Sequence, residues 1–332
     1  MNRASLIFAA LLAVLVPVSL LAGRVWIAPA DFGPGNTLLI LAELRLPRAV
    51  LAITIGAGLG AAGAAMQGYL RNPLADPGLF GIAPMAALGA VASFWLGTAI
   101  PAAWAAWSLP LMALGGAGLG MALLALIAGR TSSDAAGGAG GGIALFTLAG
   151  LMLASLAGAL TALAITLAPN PFALSEIVMW LNGALTDRSW REVAIAAPLT
   201  AAGIAVLALA ARSLDALTLG EEAARSMGIE PRRLLGLLVV GIGLTVGAGV
   251  AVAGIIGFVG LVVPHLVRPF NNRLPSSLIL PSALAGACLV LAADSVVRVL
   301  PLVTELRLGI ALSLIGAPFF GWLLLRMRQG RL

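Results

Sequence analysis

The sequence predicts an all-α polytopic membrane protein of about ten transmembrane helices per subunit, and three observations carry that reading. Hydrophobic residues fill 61% of the 332 positions and charged residues 10%, where a soluble domain has roughly a quarter charged. Apolar runs of about twenty residues, the length that crosses a bilayer as a helix, recur along the whole chain. The short alternating segments of a transmembrane barrel are missing. Residues 1–332 read as a single transmembrane domain.

In order, the apolar segments cover about residues 4–23, 48–69, 79–98, 109–129, 142–168, 192–212, 232–254, 258–269, 276–298 and 307–326. The first follows a basic start, as in a signal peptide, but its length and the many similar segments behind it favour a retained span. The second contains Gly56 and Gly60, and the seventh Gly243 and Gly247. Small residues four apart let helix backbones approach closely where lipid supplies no hydrophobic drive. Before the third segment, "RNPLADPG" (71–78) carries the turn-forming pairs Asn72–Pro73 and Asp76–Pro77. "TSSDAAGGAGGG" (131–142) reads as a glycine-rich connector, and "NPFALSEIVMWLNGAL" (170–185) as a loop. The eighth segment is too short to span alone and reads as a partial helix buried among the others. Cys288, the single cysteine, lies in an apolar run as a small buried hydrophobe, and no disulfide within the chain is possible.

Ten passes place both termini on one side, and the positive-inside rule makes that side cytoplasmic. Arg3, Arg71, Arg130, Arg212, Arg225, Arg232, Arg233, Arg268, Arg273, Arg326, Arg328 and Arg331 then fall inside. Arg24, Arg45, Arg48, Arg188, Arg191, Arg298 and Arg307 fall outside and need a separate explanation.

Composition also excludes functions. All 19 basic residues are arginine, so the lysine of a phosphate-binding P-loop is missing. Any ATP and Mg must be used by a partner chain. Acidic and histidine side chains, the usual means of ion coupling, are scarce in the spans: Glu192 opens the sixth, Asp294 lies late in the ninth, and His265 is the single histidine. His265 reads as a helix-end residue hydrogen-bonded to backbone or to a partner. The hydrolase and metalloprotease motifs are absent. No catalytic residue, metal site or cofactor of the chain's own is expected, and no nucleic-acid partner.

The densest charge lies in "LTLGEEAARSMGIEPRR" (217–233). Glu221 and Glu222 in a first turn and Arg225 in a later one suit a helix dipole. Gly228 can end the helix in the left-handed region, and Pro231 can open the next. Leu219, Ala223 and Met227 recur four apart on one apolar face. A helix this short is unstable alone, so it must dock, either on its own bundle or on a soluble partner.

Six stretches in order, "LRLPRAVLAITIGAGLGAAGAAMQG", "RNPLADPGLFGI", "LTLGEEAARSMGI", "VAGIIGFVGLVVPHLVR", "LAADSVVR" and "LIGAPFFGWLLLR", resemble the FecCD permeases of bacterial ABC importers for iron chelates (siderophore, haem) and vitamin B12. The resemblance covers almost the whole chain. It implies a type II importer permease in the inner membrane, a homodimer around a central path, two cytoplasmic ATPase subunits below and a periplasmic binding protein above. It identifies Leu219, Gly220, Glu221, Glu222, Ala223, Arg225, Met227 and Gly228 as the coupling helix. It assigns Arg45, Arg48 and Arg298 to docking of the binding protein. It gives the loop 71–78 a structural or gating role near the cytoplasmic exit.

The sequence departs from the family pattern at Leu306–Arg307–Leu308–Gly309, where members show Leu-Pro-Val-Gly, and in a shortened loop "RPFNNRLP" (268–275). The path is expected along the second, fifth and tenth segments and the loop 170–185, near Gln67, Met179, Trp180 and Asn182. Trp180 reads equally as a membrane-interface anchor. The cargo is expected to be a siderophore or another iron complex, with cobalamin next. A passive channel, prompted by the pairs Asn72–Pro73 and Asn170–Pro171, and an ion-driven secondary transporter are the alternatives.

Overall fold

Inside a bilayer a backbone N–H or C=O has no water to bond, so each spanning segment must satisfy its own polar groups. The computed structural model describes residues 3–28, 36–96, 101–134, 141–272 and 274–328, and these contain helices and no strands. We number the helices α1 (Arg3–Leu21), α2 (Thr37–Leu70), α3 (Ile82–Trp95), α4 (Ala102–Asp134), α5 (Gly141–Thr166), α6 (Pro171–Leu181), α7 (Trp190–Leu217), α8 (Glu221–Ser226), α9 (Pro231–Ala253), α10 (Val259–Phe270), α11 (Pro275–Val299) and α12 (Leu308–Arg328). Eight of them are long and apolar enough to cross a membrane, and α3, α6 and α10 are shorter apolar helices.

All ten predicted segments are helical, and the eighth is the short α10. Three differences have physical causes. The second segment starts eleven residues earlier than expected, because α2 continues through the charged stretch around Glu43 and Arg45. Pro47 has no N–H to offer the Glu43 carbonyl. The helix accommodates this by widening to π geometry over Leu41–Arg45, where the Leu46 N–H bonds the Leu41 carbonyl.

Next, 170–185 is not simply a loop. Asn170 accepts the Ala173 N–H at 2.8 Å on its side-chain oxygen, Pro171 takes the first turn, and α6 follows. Last, α3 starts three residues later than expected because the chain before it turns back into the bundle. Pro77 packs on Gly260 of α10, and Phe80 stacks on Phe146 of α5. Non-helical backbone at this depth must be satisfied by protein. Asn72 Oδ1 accepts the Leu74 N–H at 2.9 Å, and Asp76 Oδ1 accepts that of Gly78 at 2.7 Å. Of the connector 131–142, residues 131–134 extend α4 and 141–142 begin α5. Residues 135–140, together with Arg273 and Arg331, lie outside the described residues.

α2 is the central helix, packed by α11, α7, α9 and α10. Its glycines set the spacing. A methyl group at Gly56 would overlap the Gly286 carbonyl of α11, and one at Gly60 the Ser282 carbonyl. On α9, Gly243 sits under Met121 and Gly247 against Ala117, both of α4. Both predicted glycine pairs are therefore close-approach sites. Cys288 is buried and donates weakly to the Phe8 carbonyl at 3.4 Å. The outer faces stay apolar: Leu6, Leu11 and Val14 on α1, and Leu314, Ile315 and Leu325 on α12, are exposed as lipid requires.

Replacing Gly60 by valine is expected to destabilise the detergent-purified protein by about 1–3 kcal/mol or more, the cost of overpacking a close contact. Gly115→Ala, at a position with nothing within 4 Å, is the control and should not lower the thermal midpoint, since alanine favours the helix over glycine. Equal midpoints for the two variants would show that α2 and α11 do not depend on the glycine contact.

Candidate functional site

The charged residues gather at the two ends of the bundle. At one end α7 stops at Leu217, and Gly220 (φ +107°) lets the chain reverse into α8. Gly228 closes the turn with φ +82°, as the sequence predicts. Ala224 is the residue of α8 that is buried on the bundle, while Leu219 and Met227 are 68% and 61% exposed, with Ala223 half-buried between them. The apolar stripe read from the sequence therefore faces largely away from the chain's own core. Glu222 and Arg225 are exposed, and Glu221 lies near Tyr69 of α2.

Gln67 lies at this same end. It is 3% exposed, donates to the Leu261 carbonyl of α10 at 3.1 Å, and accepts from Arg268 Nη2 at 2.9 Å. It borders a cavity of about 250 Å³ with Arg71, Asn72 and Thr218. The structure thus separates Gln67 from Met179, Trp180 and Asn182, with which the sequence grouped it.

The opposite end holds the arginines of "RLPR" and "ADSVVR". Arg48 binds both oxygens of Asp294, with Nη2 at 2.7 Å and Nε at 2.9 and 3.1 Å, and it also pairs with Glu305. Arg298, 7% exposed, pairs with Asp294 at 3.1 Å, donates to Ser19 Oγ at 2.7 Å, and reaches the Ala22 carbonyl at 3.2 Å. Arg45 donates to the carbonyls of Leu20 and Leu21 at 2.8 Å and of Val25 at 2.7 Å. All three arginines have partners within the chain, and together they tie α1, α2, α11 and the segment before α12. Glu305 and Ser19 escaped the sequence reading, because they lie 257 and 279 residues from their arginines and no local pattern joins them.

α6 ends in a junction of broken helices. The Ala184 N–H bonds the Ala253 carbonyl at 2.8 Å, and the Gly309 N–H bonds the Gly183 carbonyl at 3.1 Å. Trp180 is buried beside it with its indole N–H unpartnered, a poor match to a water-facing anchor. Asn182 donates to the Val178 carbonyl at 2.9 Å. Met179 is 44% exposed and lines a cavity of about 790 Å³ with Arg24, Thr186, Glu305, Arg307 and Ile310.

His265 lies in α10 edge-on to Phe319, with its Nδ1 buried and unpartnered. Among the described residues no group of three or more His, Cys, Asp or Glu could hold a metal.

Two outcomes follow from the arginine network. Arg48→Met leaves Asp294 buried and short of its main cation, and should cost about 3–5 kcal/mol, whereas Arg48→Met combined with Asp294→Leu and Arg298→Met, which also removes the buried partner charge of Arg298, should recover much of that loss. A triple variant less stable than the single, in denaturant titrations, would contradict it. The second concerns pH. Burial alone would raise the Glu305 carboxyl, but the Arg48 hydrogen bond and charge outweigh that and hold it below the ordinary carboxylate value. Its contribution is then full above the unfolded-state pKa and lost as pH falls through the lower native one. The thermal-midpoint gap between wild type and Glu305→Gln should shrink on acidification; a gap that widens would contradict the pairing.

The FecCD transport family matches residues 9–326. The chain is 36% identical to the hemin transport system permease protein HmuU of Yersinia pestis over 87% of this chain and 84% of that one. It is 35% identical to the vitamin B12 import system permease protein BtuC of Klebsiella pneumoniae over 96% and 92%. A solved metal-chelate type ABC transporter in an inward-facing conformation superposes with a TM-score of 0.85, 28% identity, and coverage of 97% of this chain and 98% of that one. With its apolar helices, its short helix α8 and near full-length matches to importer permeases, the chain belongs to the FecCD transport family and is a non-catalytic, membrane-embedded ABC importer permease.

Proposed function

We propose that this chain, as a homodimer, carries a bulky iron complex (ferric siderophore or haem) or cobalamin from periplasm to cytoplasm, with both its termini cytoplasmic. It works by alternating access with two cytoplasmic ATPases and a periplasmic binding protein. ATP and Mg belong to the ATPases. The observation that carries the reading is α8: a six-residue helix held by one buried alanine, with Leu219 and Met227 exposed beside Glu222 and Arg225. A helix so short needs a partner for its outer face. Leu219–Gly228 is therefore read as the coupling helix that seats in the ATPase.

The binding protein is placed at the opposite end, over a cavity of about 360 Å³ lined by Arg24, Arg45, Arg48, Arg298 and Glu305. Exposed charge there steers encounter and sets register, and Arg298 works from below by holding Asp294 and α1. Met179, Trp180 and Asn182 belong to the outer part of the path, and Gln67 to its coupling-end closure. Coupling is a free-energy linkage: nucleotide state shifts the bundle only as far as it binds one conformation better than the other.

The test reconstitutes the chain with its ATPase and binding protein in proteoliposomes. ATP-driven uptake of a ferric siderophore, haem and cobalamin is followed side by side. Leu219→Asp, Met227→Asp or Ala223→Asp should lower uptake at least about tenfold, because each puts a charge into a desolvated contact, while the thermal midpoint of the isolated permease stays unchanged. Uptake without ATP, or full uptake in all three variants, would overturn the reading.

A further inference from the structure

The 790 Å³ cavity at the end opposite α8 is of a size that encloses a drug-sized ligand, and its charge is one-sided. Arg24 and Arg307 line it, and Glu305 is the single carboxylate among the lining residues. Glu305 is already bound by Arg48. Arg24 is exposed and donates to the Leu302 and Val303 carbonyls at 3.4 and 3.2 Å, and neither Arg24 nor Arg307 has an ion pair among the described residues.

A third guanidinium lies close by. Burial chiefly, and then the charges of Arg191 and Arg307, hold Arg188 below the ordinary arginine value, against a partial offset from Glu192 and Asp187. Of those two acids, Glu192 is engaged by Arg191 at 2.7 Å and Asp187 is exposed. The Arg188 Nε is buried with no hydrogen-bond partner. The inner arginines of this end are therefore compensated, Arg48 and Arg298 by Asp294 and Glu305 and Arg45 by carbonyls, while the cavity wall keeps uncompensated positive charge. Met179, Leu302 and Ile310 supply apolar surface beside it.

We infer that this cavity is an entry site selective for anionic, partly apolar cargo, a metal chelate bearing carboxylates or catecholates, with Arg24 and Arg307 as the charge-selecting residues. The inference rests on the importer reading above and narrows its cargo. Low-dielectric walls of one sign focus the field and raise the local concentration of an opposite charge by about ten- to a thousandfold. A neutral or cationic chelate gains nothing from such a wall.

The same proteoliposomes test it, with four probes at saturating binding protein: haem with its propionates, a trianionic ferric tris-catecholate, a neutral ferric tris-hydroxamate, and cobalamin. ATP-driven uptake is expected for one or both anionic probes. It should fall about tenfold in Arg24→Gln/Arg307→Gln and be retained in Arg24→Lys/Arg307→Lys, which keeps the charge and reports that the site still folds. Preferred uptake of the neutral hydroxamate or of cobalamin would overturn the charge selection and leave the importer intact, as would equal losses in the glutamine and lysine variants. No ATP-driven uptake of any probe would overturn the importer reading and this inference with it.

Discussion

The structure depends on how closely the backbone of α2 approaches its neighbours. At Gly56 and Gly60 no side chain separates it from α11, and Gly63 meets the Gly260 carbonyl of α10 in the same way. Lipid tails are as apolar as leucine, so helices in a bilayer associate through packing and hydrogen bonds, not through release of water. Contacts between backbones are also stiff. Side chains can absorb a displacement by changing rotamer, and carbonyls against glycine cannot. α2 runs 34 residues, about 50 Å at the α-helical rise, and joins the two polar ends of the bundle as one rod. Arg48 sits about a third of the way along it and Gln67 near its finish.

Each end is anchored by charge in a way that a lipid-facing helix could not tolerate. Asp294 is fully buried, and an unpaired carboxylate there would be prohibitive. Two guanidiniums compensate it, one from α2 and one a helical turn along α11. Arg298 then spends its remaining donors on Ser19 and Ala22, which fixes the C-terminal end of α1. At the other end Arg268 and Gln67 cross-link α2 and α10 beside the turn that leads to α8. The stiff rod is thus clamped at both ends, and the elements attached to the clamps, α8 at one and the segment before α12 at the other, bury little of their own surface.

Much of this was legible in the sequence because it is local. Apolar run lengths located ten helices, Gly56 and Gly60 marked the seam, and Gly228 marked the end of α8. What escaped depends on contacts far apart in the chain. Nothing near Arg48 announces Glu305. The pairing exists because Glu305 lies just beyond α11, which packs along α2. The return of residues 71–81 into the bundle was hidden because turn pairs read alike in an exposed loop and in one that packs Pro77 on Gly260. α6 was hidden by "NPFALSE", whose Asn-Pro reads as a turn until Asn170 is seen to cap a helix. Trp180 could not be placed by composition, since an interfacial and a buried indole have the same sequence surroundings.

The arginines that the positive-inside rule leaves on the outer side divide into two kinds once their partners are known. Arg45, Arg48 and Arg298 are structural first, and any acidic group of a docking partner that reaches Arg48 meets a guanidinium already engaged twice. Of its two carboxylates Asp294 is fully buried and Glu305 is 20% exposed, so Glu305 is the one that exchange with an incoming acid would release. Removing Asp294 from Arg48 would strand a buried charge, whereas Glu305 can turn to water at small cost. Glu305 also stands two residues before Arg307, on the wall of the larger cavity. Glu305, the partner of Arg48, and Arg307 on the cavity wall are therefore carried by one short segment, 300–307, which leads directly into α12. In the importer we propose, docking at Arg48 and cargo entry share that segment by covalent connection, without any longer pathway through the bundle.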